Sequence, residues 1–151
     1  MAFMKAIGKH VKESGLKKCW TEYKMLGSGT ADQVINSLSY TRCMRAHKIT
    51  LQVLWRLIIP KMQPELPIEL EELSKANNVD ELIKLIDREF EVIRLFFKDQ
   101  TDPNTKYWWS YMEMVHILLL FTRAQREGNW SLHINAFAAM LPYFAVYNHT
   151  N

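Results

Sequence analysis

The chain has 151 residues, of which 48% are hydrophobic and 23% charged, and its net charge is +3. That is the mix of one globular domain, long enough to fold without a metal or a disulfide framework and too short for two comfortable domains. With only 5 Gly and 5 Pro, turn and breaker residues are too scarce for a many-stranded β fold, which leaves an all-α architecture.

Phe3, Met4, Ile7 and Val11 recur at helical spacing and predict a helix from Ala2 to Ser14, stopped by Gly15. Leu16, Cys19, Trp20 and Tyr23 predict a second, shorter one. Gly27-Ser28-Gly29 is the clearest break, after which Thr30 and Gln33 form a capping-box pattern for a short helix to about Ser37. Ser39 can cap a longer helix from Tyr40 to Ile59, with Cys43, Met44, Ala46, Leu51, Leu54, Trp55 and Ile58 as its apolar set and Pro60 as its stop. Pro60, Pro64 and Pro67 make residues 60–67 a proline-rich connector. A short acidic helix follows from Ile68 to Ala76. Asn78, with Glu81 three residues on, caps the next helix, where Leu82, Ile83, Ile86, Phe90, Ile93 and Phe97 give a continuous apolar stripe to about Lys98.

Asp102-Pro103 is a strong helix start, and Gly128 ends the helix at Glu127. Apolar residues go nearly all round it between Met112 and Phe121, which predicts the central helix, with Met114, Val115, Leu118 and Phe121 buried. Asn129 caps a last helix from Trp130 to about Tyr147; Pro142 inside it predicts a kink near residues 138–142. The whole is a single irregular bundle of six to eight helices occupying residues 1–151.

Charge is unevenly spread. Residues 1–62 hold 11 Lys/Arg and 3 Asp/Glu, net +8; residues 63–102 hold 5 and 11, net −6; the remainder is net +1. Arg42, Arg45 and Lys48, with His47 beside them, lie at three-residue spacing on one helix and form a candidate grip on phosphates, against the plainer reading of a solvated face or of pairing with the acidic stretch Glu65–Glu72. Arg123, Arg126, Trp130 and His133 form a second cluster where one helix closes and the next opens. There the arginines suit the helix dipole and Trp130 is expected to pack back on the preceding helix, a structural corner.

Catalytic signatures are not found: no nucleophile elbow, no phosphate-cradling glycine loop, no His-Glu-x-x-His. Cys43 and His47, four apart, would need two more ligands to hold zinc, and Glu113-x-x-His116 lacks the second copy a di-iron site requires, so no metal and no cofactor are expected. Gly27-Ser28-Gly29-Thr30 is better explained as a hinge than as an anion site. Met1 to Ser14 carries Lys5, Lys9, His10 and Lys12 through its apolar positions and is no signal peptide. Cys19 and Cys43 are then free thiols of an intracellular protein, in nucleus or cytoplasm, and Asn129-Trp130-Ser131 and Asn148-His149-Thr150 are chance matches to the glycosylation acceptor. The longest apolar run, Ile117 to Phe121, is far short of a membrane span.

Several stretches carry a resemblance: Gly8 with Ser14-Gly15-Leu16; residues 27–32; Tyr40-x-Arg42-x-x-Arg45-Ala46-His47-Lys48; Tyr107-Trp108-x-x-Tyr111; residues 123–130 followed by x-Leu132-His133; and Tyr147-Asn148-x-Thr150-Asn151. Through them the chain resembles a poorly characterised family of animal proteins, often encoded in genes that look derived from mobile elements. The resemblance implies a helical piece of a longer protein, with any acidic catalytic residues of a parent enzyme outside it. The expectation is therefore a non-enzymatic helical module with non-specific nucleic-acid or protein binding through its basic first third. The alternative is a purely structural or protein-interaction domain.

Overall fold

Local side-chain chemistry sets most of the helix boundaries. The computed structural model describes residues 2–148, and among them are eight helices and no strand: α1 (Ala2–Val11), α2 (Leu16–Glu22), α3 (Ser28–Ile35), α4 (Tyr40–Met62), α5 (Leu66–Lys75), α6 (Val79–Asp99), α7 (Pro103–Glu127) and α8 (Trp130–Asn148). The architecture is all-α, as composition and periodicity require. The backbone N–H of Thr105 donates to Asp102 Oδ2 at 2.7 Å and that of Leu132 to Asn129 Oδ1 at 3.0 Å, so both expected caps form. Gly128, at φ 64, turns the chain out of α7, and the Asn129 N–H bonds back to Ala124 O at 3.0 Å. Replacing Asn129 by Ala should cost about 1 kcal/mol, read as a lower urea midpoint at unchanged slope; an unchanged midpoint would show that the cap contributes nothing.

Four boundaries differ from the sequence expectation. α1 stops at Val11 rather than Ser14, because the Ser14 hydroxyl donates to Val11 O at 2.7 Å and accepts from the Leu16 N–H at 3.1 Å, a tight turn that Gly15 completes at φ 79. α3 starts at Ser28 after an extended Gly27, so Thr30 lies inside the helix and is not its cap. Pro60 does not end α4; it sits in the last turn, where it leaves the Arg56 carbonyl without the N–H four residues on, and Met62 is the end. α5 begins at Leu66 with Pro67 in its first turn, which shortens the expected 60–67 connector to Gln63, Pro64 and Glu65.

The chain divides into two compact units, with the divisions inside α4 after Leu51 and inside α7 before Ser110. The first comprises the described residues up to Leu51 and those from Ser110 onward. It holds 11 Lys/Arg against 5 Asp/Glu, a net charge of +6. Here α1 packs on α3 and α8, and α2 on α3. Phe3 meets Tyr143 and Phe144 edge-on, with ring centroids 5.8 and 5.7 Å away. α7 gives this unit Tyr111, Met112, Met114, Val115 and Leu118, all buried, while Phe121 is only half-buried. Gly8 lets α1 and the end of α3 touch: a Cβ there would lie 2.1 Å from Ile35 O.

The second unit, Gln52–Trp109, packs α5 on α6. Trp109 stacks on Phe97 at 4.6 Å and 4° and meets Trp55 edge-on at 6.1 Å. The expected apolar stripe of α6 is only partly covered. Leu85 and Ile93 are buried and Leu82 and Phe97 half-buried, while Ile83, Ile86 and Phe90 face solvent, because the apolar arc of α6 is wider than its packed face. No helix among the described residues is long and apolar enough to cross a membrane.

Candidate nucleic-acid interface

Helical angle decides which of the candidate residues can act together. On α4, Cys43, Ala46, His47 and Thr50 fall on one side and are buried; Arg42, Arg45 and Lys48 fall on the other and are exposed. His47 is thus not part of the basic face. It follows Cys43 by four residues, which places it on the core side, fully enclosed. Its Nδ1 is 3.0 Å from Tyr111 Oη, Trp20 and Tyr111 meet its ring edge-on at 5.7 and 5.8 Å, and its Nε2 has no hydrogen-bond partner among the described residues. Burial lowers its pKa from the usual 6.5 to about 4, so it is neutral and makes no phosphate contact near neutral pH. Beside it the Trp20 indole N–H donates to Thr50 Oγ1 at 2.9 Å, and the Thr50 hydroxyl donates to Ala46 O. Burial also pushes the Cys43 thiol up; Cys19 is exposed, and both are free thiols.

Arg42 turns toward α3, where its guanidinium donates to Gln33 Oε1 at 2.5 Å. Arg45 and Lys48 instead line a groove of about 550 Å³ whose opposite wall is the last two turns of α7. That wall brings in Arg123 and Arg126, so the two clusters found separately in the sequence supply one surface. The floor is Met44, Leu119 and Thr122, with Thr41 and Glu127 completing the lining. The Tyr40 hydroxyl lies 3.3 Å from Thr122 Oγ1 and ties the start of α4 to α7.

The groove is electropositive. Among the described residues that line it Glu127 is the one carboxylate, and it is held by Arg123 Nε at 2.7 Å. Among the described residues Arg45, Lys48 and Arg126 have no ion-pair partner, while in the acidic stretch Glu69 pairs with Arg88 and Glu71 with Lys75. The positive end of the α4 dipole and the negative end of the α7 dipole both border the groove and offset each other, at about half a charge each. The side chains therefore decide its sign.

Thr41, Met44, Arg45 and Lys48 repeat at i, i+3, i+4 and i+7, and so do Leu119, Thr122, Arg123 and Arg126. Each wall was therefore visible as a face that mixes cations with a threonine and a large apolar residue. Glu127 was visible only as the partner four residues from Arg123.

Trp130 and His133 do not line the groove. They line a shallow hollow of about 200 Å³ with Ala124, Gln125, Gly128 and Asn129. Trp130 does not pack back on α7 as the sequence suggested. It is 73% exposed and stacks on His133 at 5.6 Å and 8°; His133, rather than Trp130, meets Phe121 of α7, at 4.5 Å. The Asn129 acceptor triplet opens α8, whereas Asn148-His149-Thr150 lies partly outside the described residues. No group of three His, Cys, Asp or Glu able to hold a metal ion occurs among the described residues.

Compared with known proteins, no curated protein and no solved structure matches the chain. One family model, described as Domain of unknown function (DUF8702), matches residues 1–151. The chain accordingly belongs to that family.

Proposed function

We propose that the chain is a non-enzymatic helical module that binds nucleic acid through its phosphates along the groove of Arg45, Lys48, Arg123 and Arg126. The observation that carries this reading is the gathering of four cationic side chains from two helices against a single carboxylate, three of them without an ion-pair partner among the described residues. Cations left unpaired on one face keep their charge available for a polyanion. No base-reading motif accompanies these cations, so the reading assigns them to the phosphates, with recognition indifferent to sequence. Descent from a mobile-element protein, which the resemblance implies, suits such a role, and free thiols suit an intracellular site of action.

The test is salt-dependent binding to mixed-sequence DNA. Wild type should bind with Kd on the order of 10⁻⁴–10⁻⁶ M at physiological salt. Changing Arg45 and Arg126 together to Ala should weaken binding to all sequences alike and flatten the salt dependence by about two units. No retardation of DNA by micromolar protein at low salt would overturn the reading.

A protein-docking role has its own observation. Trp130, Ile134, Phe137 and Leu141 form a stripe along α8 and are 73%, 45%, 46% and 51% exposed. It becomes the leading reading if DNA is not retarded.

A further inference from the structure

We propose that the exposed indole of Trp130 is a stacking platform for a nucleobase, which makes single-stranded nucleic acid the preferred ligand of the domain; this rests on the groove reading above. Of the five tryptophans, Trp20 and Trp109 are buried and Trp55 and Trp108 half-buried, so Trp130 alone presents its ring to solvent. Its ring runs parallel to the His133 imidazole, with centroids 5.6 Å apart and planes at 8°, and His133 is backed by Phe121 at 4.5 Å. A ring supported from behind and open in front loses little conformational freedom when a base settles on it.

Its place in the chain ties it to the cationic groove. Arg123, Arg126 and Glu127 in the last turn of α7 line the groove, and Ala124 and Gln125 in the same turn line the hollow beneath Trp130. Gly128 in its left-handed conformation and the Asn129 cap then fix the start of α8, so Trp130 follows Arg126 of the cationic wall by four residues across one ordered turn. A positive track beside an aromatic face is the combination that binds single strands, because phosphates lie along the track while an unpaired base turns out onto the ring. In a duplex the bases are already stacked on one another, and only the phosphate contribution remains.

The experiment measures binding of the whole chain to three labelled probes at two salt concentrations: an oligothymidylate of about 12 nucleotides, within the usual site sizes; an abasic deoxyribose-phosphate strand of equal length; and a duplex. Wild type should prefer oligothymidylate over the abasic strand by roughly tenfold, the scale of one stacked base. Trp130→Ala should abolish that preference while leaving abasic binding and the salt dependence unchanged. Trp130→Phe, which keeps a ring, should retain most of it, and its folding controls for damage in the alanine variant. Equal wild-type binding of oligothymidylate and abasic strand overturns the platform and leaves the groove reading intact; binding of none of the three overturns the groove reading and the platform with it. If Trp130→Ala leaves oligothymidylate affinity unchanged but dissociates a self-associated species in sedimentation, the ring serves protein docking and the platform is overturned.

Discussion

Gly8→Ala should destabilise the chain by about 3 kcal/mol or more, a large part of the ~5–15 kcal/mol that holds a typical domain. The new Cβ would sit 2.1 Å from Ile35 O and 3.2 Å from Ser37 Oγ. Ile35 O is a backbone atom at the end of α3 and cannot rotate away as a side chain can. α1 must then retreat from α3 by more than an ångström to restore a normal contact. That movement breaks the bond from the Ser37 hydroxyl to Met4 O, now 2.9 Å, and Ser37 is 1% exposed, so water does not readily replace the lost partner. Overpacking alone costs roughly 1–3 kcal/mol, and an unsatisfied buried hydroxyl adds about 1–3 more. Gly29→Ala is the matched control: Gly29 lies in the first turn of α3 with nothing within 4 Å of where the new methyl group would lie, and alanine there should be neutral or stabilising by up to about 1 kcal/mol. Urea unfolding of the two variants checks the pair. A Gly8→Ala midpoint equal to wild type would mean that α1 and α3 do not approach closely.

Gly8 also marks where the sequence stops being readable. The helices were legible because their signals are local. Asp102-Pro103, Gly128-Asn129 and Asn78 with Glu81 each act within a few residues, and each forms: Asn78 Oδ1 accepts from the Glu81 N–H at 3.3 Å. Thr30 failed as a cap because Ser28 and Gly29 already enter the helix behind an extended Gly27, and a local pattern does not say which of two competing starts wins. Gly8 lies inside α1, where glycine looks only like a weak helix former; the reason for it is Ile35, on another helix. The groove divides in the same way. Each wall has its own helical repeat, but that the face of Arg45 and Lys48 meets the face of Arg123 and Arg126 is a fact of packing. His47 was misplaced for a simpler reason: neighbours in sequence differ by about 100° on a helix, so a residue beside Lys48 need not share its face.

Acid should weaken the fold through His47. In the core its pKa is held at about 4, and burial is the cause; in the unfolded chain it returns to 6.5. Above pH 6.5 both states are neutral at this position and stability does not depend on it. As pH falls below 6.5 the unfolded chain takes up a proton that the folded core refuses, so stability is lost progressively until about pH 4, where the folded state protonates as well. Between about pH 7 and pH 4.5 the loss should be roughly 2–3 kcal/mol. The groups around the ring do nothing to offset it. Tyr111, Trp20 and Thr50 are uncharged, and among the described residues Nε2 has no acceptor to receive a second N–H. His47→Leu fills a similar volume without a titrating group, so it should remove this part of the pH dependence while the contribution of the carboxylates remains. The decisive comparison is the change in unfolding free energy from about pH 7 to pH 4.5 in wild type minus that in His47→Leu, alongside a magnetic-resonance titration of the imidazole. A difference near zero, or an imidazole that titrates near 6.5 in the folded chain, would show that water reaches His47 and that the core around Tyr111 is open.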